Sequence, residues 1–163
     1  MRFLLIFILL MPLKISHDSL ILGLMNEKSK MVARPSFTNL PKSELKCLID
    51  NAFYEARGEG HVGMLLVTQV VLNRAKQSNE NYCTVIYKKY QFSWTAMKRL
   101  KKIPAETNRE IERLVTMVHY GLVDHLIPNH LKSALFYHAT YVKPYWSKKF
   151  DKLGYWGNHV FYH

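Results

Sequence analysis

The run Val62–Lys76 is apolar on nearly every side of a helical wheel. It is too long for an ordinary strand, so it reads as a helix buried at the centre of a domain. Everything else must then be arranged to cover it. Gln69 and Asn73, one turn apart, are its polar exceptions. Polar groups in so apolar a helix need hydrogen-bond partners, which points to structural bonding rather than ligand contact.

Two further helices flank this one in the sequence. Leu45, Leu48, Ile49, Ala52 and Ala56 recur with helical period. Ser43 after Pro41 is the expected N-cap, and Gly58 the expected stop. Ile111, Leu114, Val115, Val118 and Leu122 trace a third helix over Glu106–Tyr120, with Gly121 at its end. Asn79–Arg99 is mixed and aromatic and reads as a loop with short turns. Ser133–His138 and Gly157–Tyr162 read as short strands bounded by turn residues. The expected class is α+β, mostly α, with a small antiparallel sheet.

The N-terminus bears on location. Arg2 and the apolar run Phe3–Leu10 form the positive and hydrophobic regions of an export signal. The run is far shorter than the ~20 residues of a spanning helix. No small-residue cleavage site follows, and the apolar patch Ser19–Met25 leaves a retained anchor open; a buried N-terminal helix is the alternative. Residues 1–25 are therefore expected to be a signal or membrane anchor, 26–42 a polar linker, and 43–163 the catalytic domain. The protein is expected in the periplasm, wall or extracellular space, as a monomer.

The net charge is +11, and residues beyond 42 still hold 17 basic against 10 acidic side chains. Such a surface suits a polyanion or a membrane. No basic helix with interleaved aromatics and no nucleic-acid motif occurs, so nucleic acid is not expected as a partner. Cys47 and Cys83 permit one bridge; export allows it, and two buried thiols are equally compatible with the spacing.

The segment Tyr54-Glu55-Ala56-Arg57-Gly58-Glu59-Gly60 carries the chemistry. Glu55 falls in the last turn of its helix, beside apolar side chains and at the negative end of the helix dipole. Both effects disfavour the ionised carboxylate. An acid kept protonated near neutral pH is what cleavage of a glycosidic bond requires. On spacing alone, a surface glutamate paired with Arg57 or a lysine would be the commoner case.

Four later segments shift that balance: Gln69-Val70-Val71-Leu72-Asn73-Arg74, Tyr90-Gln91-Phe92-Ser93-Trp94, Ala134-Leu135-Phe136-Tyr137-His138 and Gly157-Asn158-His159-Val160-Phe161-Tyr162. In this order and spacing the chain resembles the SleB/CwlJ-type cell-wall hydrolases, a family of spore-cortex-lytic enzymes and related bacterial and phage proteins. The resemblance runs from about Leu45 to His163. It implies a lysozyme-like catalytic domain that cleaves peptidoglycan between N-acetylmuramic acid and N-acetylglucosamine, by lytic transglycosylation in the spore enzymes or as a muramidase. It places the catalytic glutamate on Glu55, whose carboxyl is expected at the floor or wall of a groove. The chain departs from it in having no evident wall-binding repeat.

Glu59 is either a second carboxylate or, the reading preferred here, a structural residue bonding backbone N–H groups at the start of the next helix. Gln91, Ser93, Tyr137, His138, Trp146, His159 and Tyr162 are the candidate substrate contacts, because aromatic rings cover the apolar faces of sugars and the others supply hydrogen bonds. Phe92 and Phe136 read as core. The histidines are widely spaced, and H-E-x-x-H and C-x-x-C are absent, so no metal or other cofactor is expected. A metal-dependent peptidoglycan amidase and a non-catalytic glycan-binding module are the alternatives.

Overall fold

The structure, a computed structural model, describes residues 40–163. The signal or anchor expected over residues 1–25, and the linker up to residue 39, lie outside the described residues.

Helix α1 spans Lys42–Ala56, α2 Gly60–Ser78, α3 Tyr82–Tyr87 and α4 Ala105–His119. The central run is the buried helix its composition demands: Val62, Leu65, Leu66, Val67, Val70 and Val71 of α2 are at most 1% exposed. Leu48, Ile49 and Ala52 of α1 and Ile111, Leu114 and Val115 of α4 close over it. Gln69 donates to Asn73 Oδ1 (2.9 Å), and Asn73 Nδ2 donates to the carbonyls of Lys132 (2.8 Å) and Ala134 (2.9 Å). The polar exceptions in α2 thus tie it to the chain leading into the sheet.

The helix ends differ from expectation in detail. Ser43 is not the N-cap: α1 begins at Lys42, and the Pro41 carbonyl accepts the first helical bond from Leu45 (2.9 Å). Pro41, with its fixed φ, takes the N-cap position two residues before the serine. Helix α1 ends at Ala56, before Gly58, with Arg57 as C-cap. Leu122 is not on α4. Gly121 at φ 65° turns the chain, with Gly121 N bonded to Val118 O and Leu122 N to Met117 O, and Leu122 is 36% exposed. That is the glycine-dependent helix stop in which a left-handed residue satisfies the last carbonyls.

Asn79–Arg99 is more ordered than a loop. Asn81 Oδ1 accepts from Thr84 N (2.7 Å) and caps α3, and Ser93–Ala96 forms a 3-10 turn. A disulfide joins Cys47 of α1 to Cys83 of α3, and Cys83 N donates to Glu44 Oε2 (3.1 Å). Helix α3 is too short to show a period; long-range ties hold it.

The sheet has strands β1 (Phe136–Ala139), β2 (Lys152–Trp156) and β3 (His159–Tyr162) in the order β1-β3-β2, both pairs antiparallel. Strand β2 was not foreseen. It is an edge strand with a bulge between Lys152 and Gly154, which erases the alternation that marks a strand. The architecture is mostly α with a small antiparallel sheet, as expected.

Candidate active site

The site is built where the last turn of α1 meets β1. Glu55 is half-buried there, and Tyr137 Oη of β1 donates a hydrogen bond to its Oε2 (3.0 Å). Burial raises the Glu55 pKa above its ordinary value; the Tyr137 hydrogen bond and the Arg74 charge act the other way. Burial also pushes the Tyr137 hydroxyl well up, with Glu55 adding to the effect, so Tyr137 stays a neutral donor.

Arg74, near the end of α2, was not singled out from the sequence. Its guanidinium donates to the Leu135 carbonyl and, at 3.0 Å, to Gln91 Oε1. It lies 5.5 Å from the Phe92 ring centroid and 5.1 Å from that of Phe136. Burial lowers its pKa, opposed by Tyr137 and Glu55. The signal that could have found it is an arginine on the most apolar helix of the chain, where a charge needs a partner. Tyr54, beside Glu55, stacks on buried Trp94 (5.1 Å), and Tyr54 Oη donates to the Lys101 carbonyl. Trp94 Nε1 donates to Asn51 Oδ1 (3.1 Å), which locks this layer onto α1.

Glu59 is hydrogen-bonded to Asn158. Its Oε2 accepts from Asn158 N (2.8 Å) and its Oε1 from Asn158 Nδ2 (3.1 Å). It is a backbone-binding residue, but the N–H belongs to the β2–β3 turn and not to α2, whose N-cap shows no side-chain bond. Gly157, at φ 52°, makes room: a Cβ there would sit 1.8 Å from Glu59 Oε2. Glu59→Ala is expected to lower stability by about 1 kcal/mol, a modest figure because the turn is solvent-exposed. Glu59→Gln, which keeps one acceptor, should lose less, and both should retain most activity. Thermal melts beside wall-turnover assays check this. A loss of activity comparable to that of Glu55→Gln, with stability unchanged, would make Glu59 the second carboxylate after all.

The structure divides the other candidates. Side chains alternate across a strand. In the register Phe136↔Tyr162, Tyr137↔Phe161, His138↔Val160 and Ala139↔His159, Tyr137, Phe161 and His159 share the Glu55 side of the sheet. His159 is 7% exposed, its ring 5.1 Å from that of Tyr137, and its Nδ1 is buried without a hydrogen-bond partner. Burial lowers its pKa, Glu59 opposes and His138 adds to the lowering.

His138, Trp146 and Tyr162 lie on the opposite side and pack on one another. His138 Nε2 bonds Tyr162 Oη (2.9 Å). Their chemistry is that of a second small aromatic core, which also takes in Phe150 and the half-buried Phe136, and they are not brought to Glu55. Phe136 therefore leaves the main core, whereas Phe92 is 4% exposed within it. Gln91 is exposed and held by Arg74; Ser93 is exposed at the start of the 3-10 turn.

An open cavity of about 430 Å³ lies against the start of α1, lined by Leu40, Glu44, Leu72, Lys76, Tyr82 and His119 among others. Among the described residues, no three His, Cys, Asp or Glu side chains are grouped to hold a metal ion.

A cell wall hydrolase family model matches residues 58–162, starting three residues after Glu55. The catalytic domain of the germination-specific lytic transglycosylase SleB from Bacillus anthracis has the same fold, with a TM-score of 0.63 and 21% identity over 77% of this chain and 98% of that one. The catalytic domain of the Bacillus cereus SleB protein matches with a TM-score of 0.54 and 24% identity, over 77% of this chain and 97% of that one. No curated protein matches the sequence.

Proposed function

The chain belongs to the cell wall hydrolase family, and on that premise we propose that it cleaves the glycan strands of peptidoglycan as a lytic transglycosylase, with Glu55 as both acid and base. The bond cut is that between N-acetylmuramic acid and N-acetylglucosamine. The carrying observation is a single half-buried carboxyl, raised in pKa and held by one neutral donor, while the neighbouring carboxylate, Glu59, is committed to a turn. Hydrolysis with either stereochemical outcome ordinarily uses two carboxyl groups a few ångströms apart. Transglycosylation needs one, because the substrate supplies its own nucleophile.

Tyr137 donates to Oε2, so the transferable proton sits on Oε1. Glu55 gives that proton to the bridging oxygen as the C1–O bond breaks. The C6 hydroxyl of the muramic acid attacks C1, and its proton returns to Glu55. The product is a 1,6-anhydro sugar. In the interval Glu55 is an anion, stabilised by the Tyr137 hydroxyl and by the charge of Arg74, which Leu135 and Gln91 hold in place. His159 is a buried wall beside Tyr137. An exported, wall-facing location accords with this activity and with the Cys47–Cys83 bridge.

Mass spectrometry of digested peptidoglycan tests the reading. Fragments ending in 1,6-anhydromuramic acid support it. Reducing-end fragments, heavier by one water, make the enzyme a muramidase, and intact glycan with freed peptide stems overturns glycan cleavage altogether.

Tyr137→Phe probes the cycle. It deletes the hydrogen bond that lowers the Glu55 pKa, so the carboxyl rises further and the alkaline limb of the pH–rate profile moves to higher pH. The plateau rate should fall by about tenfold or more, since a hydrogen bond to a charged group is lost. An unmoved limb would separate Tyr137 from the proton transfer.

A further inference from the structure

Between Asn81 and Ala105 the chain has six cationic side chains, Lys88, Lys89, Lys98, Arg99, Lys101 and Lys102, and no carboxylate. Lys88 is paired with Glu80. The run Ala96–Lys102 is exposed at every position and has no regular secondary structure past its first residue. Within it, two apolar side chains stand in solvent among the cations: Met97 is 56% exposed and Leu100 47%. The backbone of this run is nevertheless anchored. Met97 N donates to the Trp94 carbonyl (3.1 Å), and the Lys101 carbonyl accepts from Tyr54 Oη. The run is therefore fixed beside Tyr54, in the last turn of α1.

Upstream on the same segment, Tyr90 is 87% exposed at φ 65°, and Lys89 Nζ lies 4.8 Å from its ring centroid. A bulky aromatic residue seldom adopts that backbone conformation, and here it places the ring in water.

Cations alone would suit any polyanion. Anchored apolar side chains between the cations have no use against a hydrated polyanion, which offers charge and no hydrocarbon. An anionic bilayer offers both: headgroup charge for the lysines and arginine, and an acyl boundary for methionine and leucine. No described helix is long and apolar enough to cross a membrane, so contact would be at the surface. We propose that the segment Lys89–Lys102, centred on Ala96–Lys102, docks the domain onto an anionic phospholipid surface. The run is tied to Tyr54, the chain neighbour of Glu55, so on the function proposed above the active site would be presented along the membrane, to glycan strands close to it.

The test is sedimentation of the full chain with vesicles of phosphatidylcholine alone and of phosphatidylcholine with phosphatidylglycerol, at low and high salt. Two variants are compared with the parent: Lys98→Glu/Arg99→Glu/Lys102→Glu and Met97→Ser/Leu100→Ser. The partition coefficient for anionic vesicles should fall at least ~10-fold in the charge variant, because each cation near an anionic surface contributes roughly fivefold. It should fall several-fold in the apolar variant. Binding to phosphatidylcholine vesicles, which offer no net headgroup charge, should not fall in the charge variant. Turnover of isolated wall should also be unchanged, which shows that the variants are folded. Equal binding of all three proteins to anionic vesicles overturns the proposal and leaves association to residues 1–25. Loss in the charge variant with none in the apolar one also overturns it. Loss of affinity for purified wall in place of vesicles would reassign the segment to anionic wall polymers.

Discussion

Glu55→Gln is expected to lower turnover of purified peptidoglycan by at least ~100-fold while the fold survives, since on the proposed mechanism one residue is both acid and base and such catalysis contributes on the order of a hundred- to ten-thousandfold. Glutamine keeps the shape and can still accept from Tyr137, but it has no transferable proton. The same variant carries a stability signature. The folded-state pKa of Glu55 lies above its ordinary value of 4.5. The stability associated with a neutral Glu55 is then fully present below that value and is lost as pH rises through the raised folded-state pKa. The glutamine variant lacks this loss. Its melting temperature relative to the parent should therefore increase as pH rises from below about 4.5 towards neutrality. Paired melts across that range, beside dye release from labelled walls, read both effects. Full activity in Glu55→Gln would remove the catalytic assignment, and a pH-independent melting difference would remove the account of its burial.

Cys47→Ser/Cys83→Ser is expected to cost about 2–4 kcal/mol, because the bridge closes a sequence separation of 36 residues and restricts the unfolded chain. That corresponds to a fall in melting temperature on the order of 10 °C for a domain of this size. Without the bridge, α3 keeps the Cys83 N–H to Glu44 bond and the buried Val85 and Ile86, so it should loosen rather than detach. It leads into the segment that carries Gln91, Trp94 and the Tyr54 contact, so activity should decline with it. Melts with and without a reductant give the magnitude. An unchanged melt on reduction would mean that the thiols stay unbridged, and it would withdraw the support that the disulfide lends to an oxidising, exported setting.

Much of the helical frame was legible in the sequence. The apolar surround of Val62–Lys76 and the stripes Leu48–Ala52–Ala56 and Ile111–Leu114–Val118 are local patterns. A helix that must bury one face, or all of them, writes its period into consecutive residues. Glu55 at the border of its stripe was legible for the same reason. The ends were less so, since Pro41 and the left-handed Gly121, not the capping serine or the last apolar residue, set them.

What only the tertiary structure decided depends on contacts between residues far apart in the chain. Tyr137 and His138 are adjacent and chemically alike as sugar contacts, yet the register of β1 against β3 sends one to Glu55 and the other to the Trp146–Tyr162 cluster. A one-residue slip would exchange them, and nothing within a four-residue strand fixes that register. Glu59 finds its partner at Asn158, 99 residues on, and Arg74 finds Leu135 and Gln91. Whether Cys47 and Cys83 meet was likewise undetermined until α1 and α3 were placed side by side. The sequence by itself determined the three long helices and the place of the Glu55 carboxyl at the end of one of them, because burial imposes a local period. The surroundings of that acid were decided by packing, because hydrogen bonds and strand register join segments whose separation carries no periodic signal.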